Sequence, residues 1–172
     1  MKKIIVIIAF IVAPVFTYAQ SIFDTLEDMD GVDMVIVTKD AFELLNKFKP
    51  KSADVKDNEV MQAFEMINDL NEFKMFSTDN LDIAVKMEKM VNSEIKRSNL
   101  TQLMRIKQDD SRIKIYVKAT KNKNYVSEVL MFVKGIDKQT KGVSEAIVMS
   151  LTGNIDINKM SEFTDKIVQE NK

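Results

Sequence analysis

The chain contains no cysteine, no histidine and no tryptophan, and only four glycines and two prolines among its 172 residues. Each absence removes a class of chemistry. Without histidine or cysteine there is no histidine-based triad, no thiol nucleophile, no iron–sulfur cluster, no haem held by histidine and no zinc site of imidazole or thiolate. Without cysteine there are also no disulfides, so the core alone must hold the fold, and no lipid can be attached through an N-terminal cysteine. No glycine-rich phosphate loop is present. Basic residues number 25 against 26 acidic ones, which denies the chain the cationic excess of a nucleic-acid binder. What is present reads as a folded protein: 45% of residues are hydrophobic and 30% charged. The length suits one domain that buries roughly 70% of its unfolded surface.

The first twenty residues carry an address. Lys2 and Lys3 precede an apolar run, Ile4 to Phe16, interrupted only by Pro14. Thr17-Tyr18-Ala19 then puts small residues three and one positions before Gln20. This is the pattern of a secretory signal peptide. The run falls short of the ~20 apolar residues that span a bilayer. The reading is therefore a leader over residues 1–19 and a single domain over 20–172. The product is expected in the periplasm or outside the cell, with no transmembrane helix after cleavage and no lipid anchor through cysteine. Cleavage removes two lysines and no acid, leaving the mature chain more acidic.

Hydrophobic spacing supplies the elements of the mature chain. Ile22, Phe23, Leu26 and Met29 fit a helical turn ended by Asp30-Gly31, and Val32 to Val37 a strand. Thr38 caps a helix with Phe42, Leu45 and Phe48 on one stripe, stopped by Pro50. Val60, Phe64 and Ile67 suggest a second helix, and Glu72 to Phe76 a short strand. Ser77-Thr78-Asp79 opens the longest helix, Asn80 to about Lys96, with Leu81, Ala84, Met87, Val91 and Ile95 at helical spacing. From Leu100 the period changes to two: one strand to Gln108, then Arg112 to Ala119, Tyr125 to Lys134 and Val143 to Thr152. Asp156 can cap a final helix bearing Met160, Phe163 and Ile167. Segregated helices and a run of strands predict an α+β class. The sheet should be mainly antiparallel, with a C-terminal four-strand meander packed against several amphipathic helices.

A hairpin tip at Asp109-Asp110 sets a register. Gln108 then faces Ser111, Ile106 faces Ile113, Met104 faces Ile115 and Leu100 faces Ala119. The opposite face carries Lys107 across from Arg112, Arg105 across from Lys114, and Leu103 across from Tyr116. Like charges directly across strands destabilise each other. Two readings follow: a basic face neutralised by acids of a packed helix, with Asp82, Glu88 and Glu94 of the long helix available, or a contact surface for an anionic partner. Leu103, Arg105, Lys107, Arg112, Lys114 and Tyr116 are the candidate binding residues.

Only acids could serve as proton-transfer catalysts here. Glu128 shares a register with Val126, Leu130 and Phe132, and Glu145 with Val143, Ile147 and Met149; a half-buried carboxylate can act as a general acid. Asp28, Asp30, Gly31 and Asp33 resemble part of a calcium loop, but with Gly31 sixth the first and twelfth positions are Leu26 and Val37, which supply no ligand. Ser93-Glu94-Ile95-Lys96 matches the Ser-x-x-Lys spacing of penicillin-recognising enzymes without their companion motifs. Met87 and Met90 have a spacing that would suit a cuprous ion, yet methionines at core positions ordinarily fill gaps. Asp24-Thr25-Leu26 resembles a bacterial O-glycosylation pattern. None of these motifs calls for a metal or another cofactor.

The leader ending Ala19-Gln20, the stretch Val35-Ile36-Val37-Thr38-Lys39 and the segment Ala146 to Asp156 together resemble the secreted bacterial family called domain of unknown function 4252, found in Bacteroidota. Some relatives are lipoproteins, from which this cysteine-free chain departs. The resemblance implies no activity and no functional residue. The expected function is a non-enzymatic binding or regulatory module of the envelope. Its partner would be an envelope protein or an anionic envelope ligand, not nucleic acid. The alternative is a carboxylate-dependent hydrolase of cell-wall or glycan material, working through Glu128 or Glu145.

Overall fold

The computed structural model describes residues 21–47, 69–108, 110–135 and 144–158. The expected leader, the helix around Val60 to Ile67, and Met160, Phe163 and Ile167 lie outside the described residues. Helix α1 (Ile22–Glu27) starts on a capping box. The Ser21 hydroxyl accepts the Phe23 N–H at 3.3 Å, and the Asp24 carboxylate accepts the Ser21 N–H at 3.2 Å. Ile22 and Leu26 are its buried residues. A turn through Gly31 leads into β1 (Asp33–Thr38). The φ of Gly31 is +78°, a conformation that favours glycine, and a Cβ there would sit 2.7 Å from Ile83 Cδ1. Helix α2 (Lys39–Lys47) follows with Phe42 buried. Leu45, expected on the same stripe, is exposed, so that stripe is narrower than its spacing suggests.

Strand β2 (Leu70–Thr78) runs past the expected Glu72–Phe76 at both ends. Thr78 is buried, and its hydroxyl donates to the Gly31 carbonyl at 2.7 Å, so it closes the strand and does not open the helix. Asn80 is the cap of α3 (Leu81–Arg97): its Oδ1 accepts the N–H groups of Asp82 at 2.8 Å and Ile83 at 3.2 Å. Four more strands follow among the described residues: β3 (Thr101–Gln108), β4 (Ser111–Ala119), β5 (Tyr125–Lys134) and β6 (Ala146–Asp156). Strand β6 outlasts the expected end at Thr152 because Gly153 carries it onward. Gly153 pairs with Leu70 at a φ of +152°, where a Cβ would lie 2.2 Å from the Asp69 carbonyl oxygen. Asp156 ends β6 and accepts the Asn158 N–H at 2.9 Å, as a cap does.

The six strands form one antiparallel sheet in the order β1-β2-β6-β5-β4-β3. With the helices on a single sheet, the class is α+β. One face carries Phe76, Ala146, Val148, Leu130 and Phe132 and is covered by Ile22 and Leu26 of α1 and by Ala84, Met87 and Val91 of α3. On the other face lies a row in register across the sheet: Val35, Met75, Met149, Met131, Ile115 and Met104. A second cluster, Val117, Val126, Val129 and Ile155, lies toward the β4–β5 turn.

Two bulges re-phase the expected registers. In β3 the pairing with β4 slips between Gln102 and Met104. Gln102, not Leu103, therefore faces Tyr116, and Thr101 faces Val117, which overturns both the Leu103–Tyr116 and Leu100–Ala119 pairings. In β5 the slip between Val126 and Glu128 sends Val126 to the second cluster, while Leu130 and Phe132 join the first.

Candidate functional site

Among the described residues strand β3 is an edge of the sheet, paired with β4 and with no strand on its other side. From Met104 to Gln108 it pairs residue by residue with β4, bringing Arg105 opposite Lys114 and Lys107 opposite Arg112. Arg112 in turn faces Lys134 on β5. Four expected cations and a fifth thus share the face on which α3 lies. The tip of the hairpin is set by Gly135, whose φ is +72°; its carbonyl accepts the Ser111 hydroxyl at 2.7 Å, and a Cβ there would meet the Asp110 carbonyl oxygen at 2.4 Å.

The cations divide into two groups. Glu88 of α3 accepts from Lys114 at 3.0 Å and from Lys134 at 3.3 Å, and all three side chains are mostly shielded from water. Lys114 also stands 5.9 Å from the centre of the Phe132 ring, where a cation is attracted. Burial works to raise the Glu88 pKa, but hydrogen bonds and charge from Lys114 and Lys134 outweigh it and hold the carboxyl below its ordinary range. Arg105, Lys107 and Arg112 are exposed and make no ion pair among the described residues.

The apolar candidates divide in the same way. Tyr116 packs against the core cluster beneath the helices, with its hydroxyl at 3.5 Å from Gln102 Oε1. Leu103 sits at the bulge and is 56% exposed. On the opposite face of β3, Met104 and Ile106 are 46% and 42% exposed. Sequence reasoning placed these two on the apolar face they share with Ile115 and Ile113 and did not single them out as site residues. They lie on an edge strand that no further strand covers among the described residues.

Helix α3 thus seats the inner part of the basic constellation and leaves the outer part bare. Of the three acids available on α3, Glu88 does this. Glu94 is buried and turns instead to its own helix end, hydrogen-bonding Arg97 and Ser98. Asp82 lies in the exposed first turn.

The acid candidates are separated. Glu128 is half-buried on β5, opposite Lys118 and Thr152. Burial pushes its carboxyl above the ordinary range, the charge of Lys118 draws it down, and the charge of Glu94 adds to the rise. Glu145 precedes β6 at the sheet end, its N–H donating to the Thr78 carbonyl at 2.7 Å. Among the described residues no group of three Asp or Glu side chains could hold a metal ion. The segment Asp28 to Asp33 forms the turn into β1. The Ser93 hydroxyl donates to the Lys89 carbonyl on the helix surface. Met87 is wholly buried in the core, and Met90 packs beside it. Asp24 is occupied as a cap residue. Among the described residues no helix is long and apolar enough to cross a membrane.

A family model described as domain of unknown function (DUF4252) matches residues 23–163. The chain belongs to this family. The DUF4252 match begins inside α1 and takes in all six strands, α3 and every candidate residue from Leu103 to Tyr116. No curated protein and no solved structure matches the chain.

Proposed function

We propose that this DUF4252 protein is an exported, non-enzymatic binding module of the bacterial envelope. The outer part of its β3–β4 hairpin would be the contact surface. One observation carries the reading: on an edge strand, Thr101 to Lys107 are all exposed, with Arg105 and Lys107 placed beside large apolar side chains. Uncovered cations on a monomer surface are ordinary, but cations interleaved with exposed Leu, Met and Ile make a surface that gains by being covered. The partner is an acidic envelope protein or an anionic envelope ligand. Export rests on the leader pattern of residues 1–19 and the C-terminal meander on the sequential pairing of β3 to β6.

The expected outcome of changing Arg105 and Arg112 together to Glu is slower association with an anionic partner. The salt dependence should weaken and the melting temperature should hardly move, because neither side chain makes an ion pair among the described residues. Lys114→Glu should instead lower the melting temperature by breaking the Glu88 contact. Stopped-flow association and thermal unfolding separate the two; equal destabilisation by both changes would defeat the proposal.

The competing reading, a hydrolase using Glu128, draws on the raised pKa of that residue. Its nearest acidic influence, Glu94, is hydrogen-bonded to Arg97 and Ser98, which argues against Glu94 as the second carboxylate of a paired-acid site. A group whose pKa is raised on folding favours the fold below its ordinary pKa and loses that contribution as pH rises through the folded value. Glu128→Gln is therefore expected to stabilise the protein at neutral pH, with the gain shrinking toward acid. Melting curves across pH check this, and loss of glycan turnover without loss of stability would favour the hydrolase.

A further inference from the structure

Among the described residues the hairpin is also an uncovered edge, and its side chains alternate in a way that suits a particular partner. On β3, Arg105 and Lys107 share the face of Lys114 and Arg112, whereas Met104 and Ile106 share the opposite face with Ile115 and Ile113. The outward backbone groups of an edge strand are a template for another strand. Proteins that guard such an edge do so with charges, prolines or bulges and little apolar surface. This edge has a bulge at Leu103, yet it exposes Leu103, Met104 and Ile106. Regular pairing resumes at Met104 and continues to Gln108, so the usable edge is five residues long.

We infer that β3 accepts an extended segment of a partner protein as a seventh strand, one in which acidic and apolar residues alternate. The inference rests on the binding role proposed above. An added strand would place its side chains about 4.5–5.5 Å from those of β3 on each face. Acidic residues would then meet Arg105 and Lys107, and apolar ones would cover Met104 and Ile106. A second copy of this chain is the poorer occupant. Antiparallel pairing of β3 with itself would set cations of the two copies side by side, at a cost like that already present between Arg105 and Lys114. Main-chain hydrogen bonds would supply affinity in this mode and the alternation would supply specificity.

The test uses the chain from Gln20 onward and two synthetic ten-residue peptides, one of strictly alternating Glu and Val, the other of the same composition with its acids in one block. Calorimetric titration should show the alternating peptide binding at least ten-fold more tightly, with affinity falling as salt rises. Amide hydrogen exchange of Met104 to Gln108 should slow on binding. Ile106→Lys and Arg105→Glu should each weaken binding several-fold while the free protein melts as before. Equal binding of both peptides overturns strand addition and leaves a generic anionic contact surface. Absence of binding by either overturns strand addition and the hairpin contact surface together. Dimerisation of the chain through β3, seen by sedimentation and abolished by Ile106→Lys, overturns the choice of partner.

Discussion

Glu88 is charged, half-buried and shared between lysines of two neighbouring strands, so its protonation state bears directly on how α3 sits on the sheet. Its pKa is lowered in the folded protein. The stabilisation is thus present above the ordinary carboxyl range and lost as pH falls through the folded value. Glu88→Gln should cost about 1–2 kcal/mol at neutral pH, the scale of one charge-assisted contact with some screening. Wild type and variant should converge in melting temperature at acid pH; a pH-independent gap would show that the loss is packing alone. This contact was half legible. The sequence offered Asp82, Glu88 and Glu94 on one helix as partners for the basic face. The choice among them depends on rotation of α3, set by burial of Ala84, Met87 and Val91. Glu88 follows Met87 directly and so flanks the buried line, within reach of β4 and β5.

Among the elements, α3 was the most readable in its extent and in its buried line Ala84, Met87 and Val91. Thr78 does not open it, however, and Leu81, expected on the stripe, is exposed. Asn80 accepts two N–H groups at the helix start. Asn80→Ala should therefore lower stability by about 1 kcal/mol, measured by denaturant unfolding, while Asn80→Asp should retain most of it. Strand β3 was least readable at its start, and the reason is geometric. Strict alternation would keep Leu100, Met104 and Ile106 on one face. In the fold Leu100 belongs to the cluster under α3, whereas Met104 faces Ile115 on the other side of the sheet. The extra residue at the bulge switches the face between them. Val126 and Glu128 are separated by a second bulge in the same way. A period-two pattern carries no mark of such an insertion, so both assignments failed at the bulge and held beyond it. The candidate site inherited this error through Leu103 and Tyr116, while Arg105, Lys107, Arg112 and Lys114 kept their register.

For the whole molecule, the α+β class followed from the order of helical and alternating segments. The strand order did not, because it depends on pairings between residues far apart in sequence. Strand β6, the last of the described strands, lies between β2 and β5 and pairs with both along most of its length. A chain ended at Gly135 would leave the β1–β2 pair and the β3–β5 strands as two sheets with no common strand. It should show no cooperative thermal unfolding by circular dichroism, whereas the chain to Lys172 should melt in one transition. The position of β6 also sets a clock. Five of the six described strands can emerge from the ribosome and still be unable to close the sheet, since the strand that joins them comes after them. Closure of the sheet is therefore expected only after β6 has been made, and topologies that depend on such distant pairings close slowly. For the export proposed above, a chain that closes its sheet late is expected to stay threadable throughout its synthesis.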